Sequence, residues 1–373
     1  MKLSKLAYAY VYVAVLLLTL GSGNAKAASY SFIQLGALGG TVSGALSINE
    51  SGQVVGYSTR AGGGVGDFRA AIWSSSAPVD LDTLPLNYSV ALDVNDAGQV
   101  AGYSIAGGGH ATIWNGATPT FLEAIGGSFS LARGINDSGL VVGYSTLKGD
   151  AQFRATTWKD AVTTDLGTLG GTGSAAYGVN NLGQVVGEAL IAGDAAAHAA
   201  IWNGTTATDL GTLGGDISAA LAINDFGLVV GYSSTLEVGV LHATTWSGTT
   251  ATDLGTLGGQ FSYATGVNNS GQVVGWSYLS DGVRHATLWN GTTIVDLNSF
   301  LDHVAVDAGW MLQYANAIND SGWIAGVAYN SLTTETAAYV LAPVVPVPEP
   351  ETYALMLAGL ALVGAAARRR KAA

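Results

Sequence analysis

Between Leu35 and Gly326 the chain writes nearly the same phrase seven times, and a unit repeated at a fixed period buries its apolar face against its neighbours. The clearest copy runs DLGTLGG (165–171), AAYGVNNLGQVVG (175–187) and HAAIWNGT (198–205), before DLGTLGG starts again at 209. The Asn of a central I/V-N-x-x-G turn falls at Asn49, Asn95, Asn136, Asn180, Asn224, Asn268 and Asn319, with spacings of 46, 41, 44, 44, 44 and 51.

Each unit holds four stretches of strand composition, rich in Val, Ile, Thr, Trp and Tyr. The first is S-x-A-x-x-I/V-N, as in Ser218 to Asn224, and the second is β-branched, as in Gln272 to Ser277. The third is H-A-x-x-W, as in His285 to Trp289, and the fourth is T-x-x-D-L-G-T-L, as in Thr250 to Leu257. N-x-x-G, as in Asn136 to Gly139, supplies an Asx acceptor and then a Gly able to take positive φ, and W-N-G-T at 202–205 and 289–292 is a second tight turn. Four strands in such a period is the measure of a β-propeller blade, whereas β-solenoid coils, the alternative, are shorter. The phase favours the propeller. A fourth-type strand, Ser31 to Leu38, precedes any first-type strand, and the last unit stops after three (Ala315 to Asn319, Trp323 to Ala328, Thr336 to Leu341). The expectation is an all-β fold, a propeller of seven four-stranded blades over 29–343, in which the N-terminal strand completes the last blade and leaves no free edge.

The ends are of another kind. Lys2 and Lys5 precede an apolar run from Leu6 to Leu20 and an A-x-A site at Ala25-Lys26-Ala27, which predicts a cleaved export signal over 1–27. With no Cys in the chain, the body relies on a packed core without disulfides. Setting aside both ends leaves seven basic and 24 acidic residues, so nucleic acid and anionic polymers are poor partners. Residues 344–373 carry Val347-Pro348-Glu349-Pro350, an apolar stretch from Tyr353 to Ala367, and Arg368-Arg369-Arg370-Lys371. The basic cluster stays cytoplasmic by the positive-inside rule, and 15 apolar residues suit a temporary anchor.

This tail resembles the PEP-CTERM sorting signal of Gram-negative bacteria, in which V-P-E-P, a short span and an Arg cluster mark an exported protein for a membrane protease of the exosortase type. That resemblance implies an exosortase partner, transient inner-membrane association and a final place in the cell envelope or extracellular matrix, with exopolysaccharide or surface proteins as neighbours. The repeated HATIW, HAAIW, HATTW and HATLW, with L-G-G and I-N-x-x-G-x-V-V-G, resemble the HAF-repeat family of extracellular bacterial proteins. Here Thr or Ala replaces the Phe after His-Ala, and Phe68-Arg69-Ala70 and Phe153-Arg154-Ala155 replace the phrase in two units.

His110, His198, His242 and His285 recur at one blade position, too far apart around a ring to share a metal, so each is expected to fix a strand or turn by a hydrogen bond. The Trp at 73, 114, 158, 202, 246 and 289 is expected to pack between blades. Second strands end in Tyr57, Tyr103, Tyr144, Tyr232 and Trp276, with Glu188 and Val327 as exceptions; such rings serve as core or stack on sugars. Loops between second and third strands vary and share a face with an insertion, Ser299 to Leu312. It carries the candidate ligand-binding residues Asp302, His303, Asp307 and Trp310. Catalytic motifs, metal sites and cofactor motifs are not evident, and Glu123, Glu188 and Glu237 are the carboxylates that break the repeat. The expected function is a non-enzymatic exported surface or exopolysaccharide-matrix scaffold; the alternatives are a carbohydrate-binding module and a carbohydrate-active enzyme with carboxylates at the channel mouth.

Overall fold

The computed structural model describes residues 29–63, 66–81, 88–105, 107–291 and 293–344. The cleavage residues Ala25 and Ala27 and the tail residues Val347 to Pro350 and Arg368 to Arg370 lie outside them. Residues Ser31–Ala342 form one compact unit.

The fold is all-β, built from four-stranded antiparallel meanders that follow the sequence period. In the fourth unit the strands are Gly170–Val179, Val185–Ile191, Ala197–Asn203 and Thr206–Gly211. Two single parallel bridges, Val42 to Thr336 and Leu241 to Phe261, merge neighbouring meanders into eight-stranded sheets. The N-terminal strand Ser29–Gln34 pairs with the last strand, Thr336–Val344, as the one-strand phase shift predicts.

The N-x-x-G turn forms as expected: Gly183 has φ of 78°, and Asn180 Oδ1 accepts from the backbone of Gln184 at 2.9 Å. The fourth strand is shorter than the sequence suggests. In the fifth unit it ends at Asp253, because Asp253 Oδ1 accepts from Gly255 N at 2.7 Å and Gly255 turns to φ of 71°. The L-G-G that follows opens the next first strand, Gly258–Val267.

Two sequence features take their reason from close approach. The Gly of V-V-G faces a bulge in the first strand, and a Cβ at Gly231 would lie 2.0 Å from the Ala219 carbonyl oxygen. The Ser of S-x-A joins neighbouring units: Ser218 Oγ accepts from Ala199 N at 2.8 Å and donates to Gly211 O at 2.7 Å. Ser43 does the same for Ala338 N at 3.0 Å, across 295 positions of sequence.

The core lies between units. Trp202 packs on Ala155 and Leu166 of the unit before it, and Trp73 packs on Ala325, Ala338 and Val340 of the last unit. Truncating such a fully buried indole to Ala costs about 3–5 kcal/mol, which makes the Trp a chief tie between units.

Candidate functional site

The turn Asn residues do more than close turns. Each Nδ2 donates to the carbonyl of the next unit's Asn, from Asn49 to Asn95 at 3.0 Å and on through Asn136, Asn180, Asn224, Asn268 and Asn319. Asn319 donates to Asn49 O at 3.1 Å, so the cycle returns to its start. A second cycle lies beside it. The backbone N–H after each Asn donates to the side chain of the corresponding residue in the next unit, through Asp96, Asp137, Asn181, Asp225, Asn269, Asp320 and back to Glu50. Asn181 and Asn269 separate the carboxylates of Asp137, Asp225 and Asp320 by donating to them. Burial, with Asp320 and Asp96 adding repulsion, pushes the Glu50 carboxyl above its usual range. These two cycles line a polar cavity of about 280 Å³.

Deeper in, Asp93 accepts from Ser47 Oγ at 2.6 Å, Val94 N at 2.9 Å and Ile135 N at 2.8 Å, and so joins three units. Desolvation pushes its carboxyl up to about 6 despite these bonds.

The opposite mouth is chemically different. The residue three before each turn Asn faces it: Leu46, Leu92, Arg133, Tyr177, Leu221, Thr265 and Asn316, which with Tyr232 enclose about 320 Å³. The second-strand rings are half-buried above this row and join others from first and third strands. Tyr57 meets Phe68 at 4.7 Å, Tyr263 meets Trp276 at 4.3 Å, and Tyr144 meets Phe153 edge-on at 5.6 Å. Burial pushes the Tyr232 phenol up to about 12, with Glu188 and Tyr263 adding to it. Where the fourth unit has Glu188 in place of a ring, Tyr177 Oη donates to Glu188 Oε1 at 2.7 Å, and the Arg133 guanidinium lies 5.4 Å from the Tyr177 centroid.

The repeated His residues have structural roles. His198, His242 and His285 pair through Nδ1 with Asp209, Asp253 and Asp296 at 2.7–2.8 Å, and those Asp residues also hold the turn after the fourth strand. His110 instead packs on Phe121 at 5.2 Å. In the insertion, Asp302 caps the short helix His303–Asp307 by accepting from Ala305 N at 2.8 Å. His303 and Asp307 are exposed on that helix, and half-buried Trp310 opens the strand Trp310–Ile318. Among the described residues no group of three or more His, Cys, Asp or Glu is placed to hold a metal ion. Glu123 and Glu237 are exposed in loops and line neither cavity at the aromatic mouth, whereas Glu188 lines one of them. Sequence reasoning singled out Glu188 but missed Arg133 and Tyr177. Their signal was the column three before the turn Asn, which holds Leu in three units and other residues in four.

Comparison with known proteins adds the tail. Residues 346–371 match the PEP-CTERM protein-sorting motif, a signal that exosortase recognises and that fits export with transient membrane association. No curated protein sequence matches the chain. Among solved structures, TolB from Acinetobacter baumannii is 11% identical over 66% of this chain and 63% of its own, with a TM-score of 0.43. A triple arginine-to-alanine mutant of AofleA from Arthrobotrys oligospora is 12% identical over 72% of this chain and 89% of its own, with a TM-score of 0.38. Among the described residues no helix is long and apolar enough to cross a membrane.

Proposed function

We propose that the chain is an exported, non-enzymatic surface protein: a closed seven-bladed propeller of HAF-type units over 29–343, sorted by its tail and acting through the aromatic face. An export signal over 1–27 and release of 344–373 by an exosortase-type protease complete the scheme. The returning cycle of seven Asn bonds supports closure, and the sorting motif supports export. The observation that carries the functional part is where the repeat is broken. The turn Asn and the Gly of the second strand are the same in every unit, whereas Glu188 breaks a largely aromatic column, Arg133 and Tyr177 stand in a mixed one, and the three converge at one mouth. A repeat array meets its partner where its units differ.

The test uses the tagged full chain in a Gram-negative host with exosortase. External protease should reach the wild-type protein, whereas Glu349→Ala should hold it in the membrane fraction. A cytoplasmic wild-type protein would overturn the proposal. A second reading, a carbohydrate-binding module, draws on half-buried Trp310 and the aromatic row. A glycan array on the wild type and Trp310→Ala separates the two.

A further inference from the structure

The meeting of the third and fourth units differs from its counterpart between the sixth and seventh. The two can be aligned residue by residue from the strand registers. Tyr144 pairs with Ala155 as Trp276 pairs with Ala286, Thr146 pairs with Phe153 as Tyr278 pairs with Arg284, and Ala175 pairs with Glu188 as Tyr314 pairs with Val327. Between the sixth and seventh units the molecule fills this place itself. The Arg284 guanidinium lies 3.8 Å from the Tyr314 ring centroid and 5.5 Å from that of Trp276, a cation held against aromatic faces.

Between the third and fourth units the same place is open. Ala175 stands where Tyr314 would fill it, and a cavity of about 370 Å³ remains, lined by Tyr144, Phe153, Ala175, Tyr177, Glu188 and Leu190 among others. The cation is absent too, since Phe153 occupies the position of Arg284. In its place the wall has gained a negative charge, Glu188 for Val327. Glu188 Oε1 accepts from Tyr177, and among the described residues Oε2 has no protein hydrogen bond and no basic side chain forms an ion pair with the carboxylate. Arg133 lines the channel cavity and does not line this one.

We propose that this cavity binds an organic cation, an ammonium group on a short aliphatic stem, held by Glu188 and by the rings of Tyr144, Phe153 and Tyr177. Three arguments agree. Aromatic faces carry negative charge density and attract ammonium groups, most strongly where water is excluded. The one carboxylate in the wall has a free oxygen. The surplus of acidic over basic residues raises the local concentration of cations around the body. The assignment rests on the aromatic face being the binding face, and it names what that face takes.

The experiment measures binding of choline to the purified full chain by saturation-transfer NMR, with 3,3-dimethylbutan-1-ol as the uncharged probe of the same shape. Choline should bind in the millimolar range and the alcohol at least tenfold more weakly. Glu188→Gln should weaken choline binding about tenfold, and Ala175→Tyr, which fills the cavity but keeps the charge, should abolish it. Circular dichroism identifies a variant that fails to fold, and the other variant then decides. Equal binding of the two probes, no binding of choline, or choline binding unchanged in the folded variants would each overturn the assignment. Surface delivery in the protease experiment does not depend on Glu188, so a failure here is distinguishable from a failure of the surface role.

Discussion

Replacing Asn180 by Ala tests the inner cycle of hydrogen bonds directly. Asn180 is 3% exposed; it donates to Asn224 O at 3.1 Å and Gln184 Oε1 at 2.8 Å and accepts from Gln184 N at 2.9 Å. Ala leaves the Gln184 N–H without its partner and removes one of the two bonds that Asn224 O accepts, the other coming from Gly227 N, while Gln184 Oε1 turns to water at little cost. The expected loss is therefore about 1–2 kcal/mol, or roughly 2–3 °C in Tm for a unit the size of Ser31–Ala342. The companion Asn181→Ala removes as many side-chain bonds from the exposed outer cycle. Solvation of the groups left behind should hold its cost below about 1 kcal/mol. Asn319→Ala is the third arm, because its Nδ2 bond joins the last turn to the first. Denaturant titration of the three variants, with m-values compared, reads the result. Equal losses for Asn180→Ala and Asn181→Ala would refute the argument from burial. A neutral Asn319→Ala would refute the proposed closure.

Four further outcomes are expected. Gly231→Ala places a methyl 2.0 Å from a backbone oxygen and should cost about 3 kcal/mol in denaturant titration. Gly248→Ala, where no atom lies within 4 Å and only φ of 59° is strained, should cost about 1–2 kcal/mol. Asp93, with its carboxyl raised to about 6, binds a proton more tightly folded than unfolded, so its stabilising contribution is full below about pH 4 and is lost as pH rises through about 6; Asp93→Asn should flatten that part of a stability-against-pH curve. His242→Ala should lower stability by less than about 1 kcal/mol in thermal melts, since its Asp253 partner is largely exposed and the pair is solvated.

Much of this architecture could be read in the chain because turn chemistry and strand composition are local properties. The N-x-x-G phrase specifies an Asx acceptor and a left-handed Gly whatever surrounds it, and Gly183 and Asn180 behave accordingly. The displaced strand at Ser29–Gln34 was legible too, since counting strands requires no geometry. Contacts between units were not. Nothing in the period says that the second nitrogen of each Asn faces the next unit, or that the Gly of V-V-G lies against a bulge. The aromatic mouth shows the same division. Glu188 stands out in a column of aromatic residues, but Tyr177 and Arg133 sit in a column of mixed character, and only the fold reveals that the three meet. Asp302 is the converse case: a carboxylate beside His303 reads from sequence as a ligand pair, and the fold shows in addition that one of its oxygens caps a short helix by accepting from Ala305 N.

The inner cycle also sets an order on folding. Six of its bonds join residues 41 to 51 positions apart, so each unit can dock on its predecessor as it leaves the ribosome or a translocation pore. The seventh spans 270 positions and waits for the last unit. Closing that span costs roughly 1.6 kcal/mol more chain entropy than closing one period of 44, a modest thermodynamic difference. In time it matters more: until Thr336–Val344 arrives, the N-terminal strand Ser29–Gln34 has no strand to pair with, and a nascent chain in that state depends on fast threading or on a chaperone to avoid pairing with another copy.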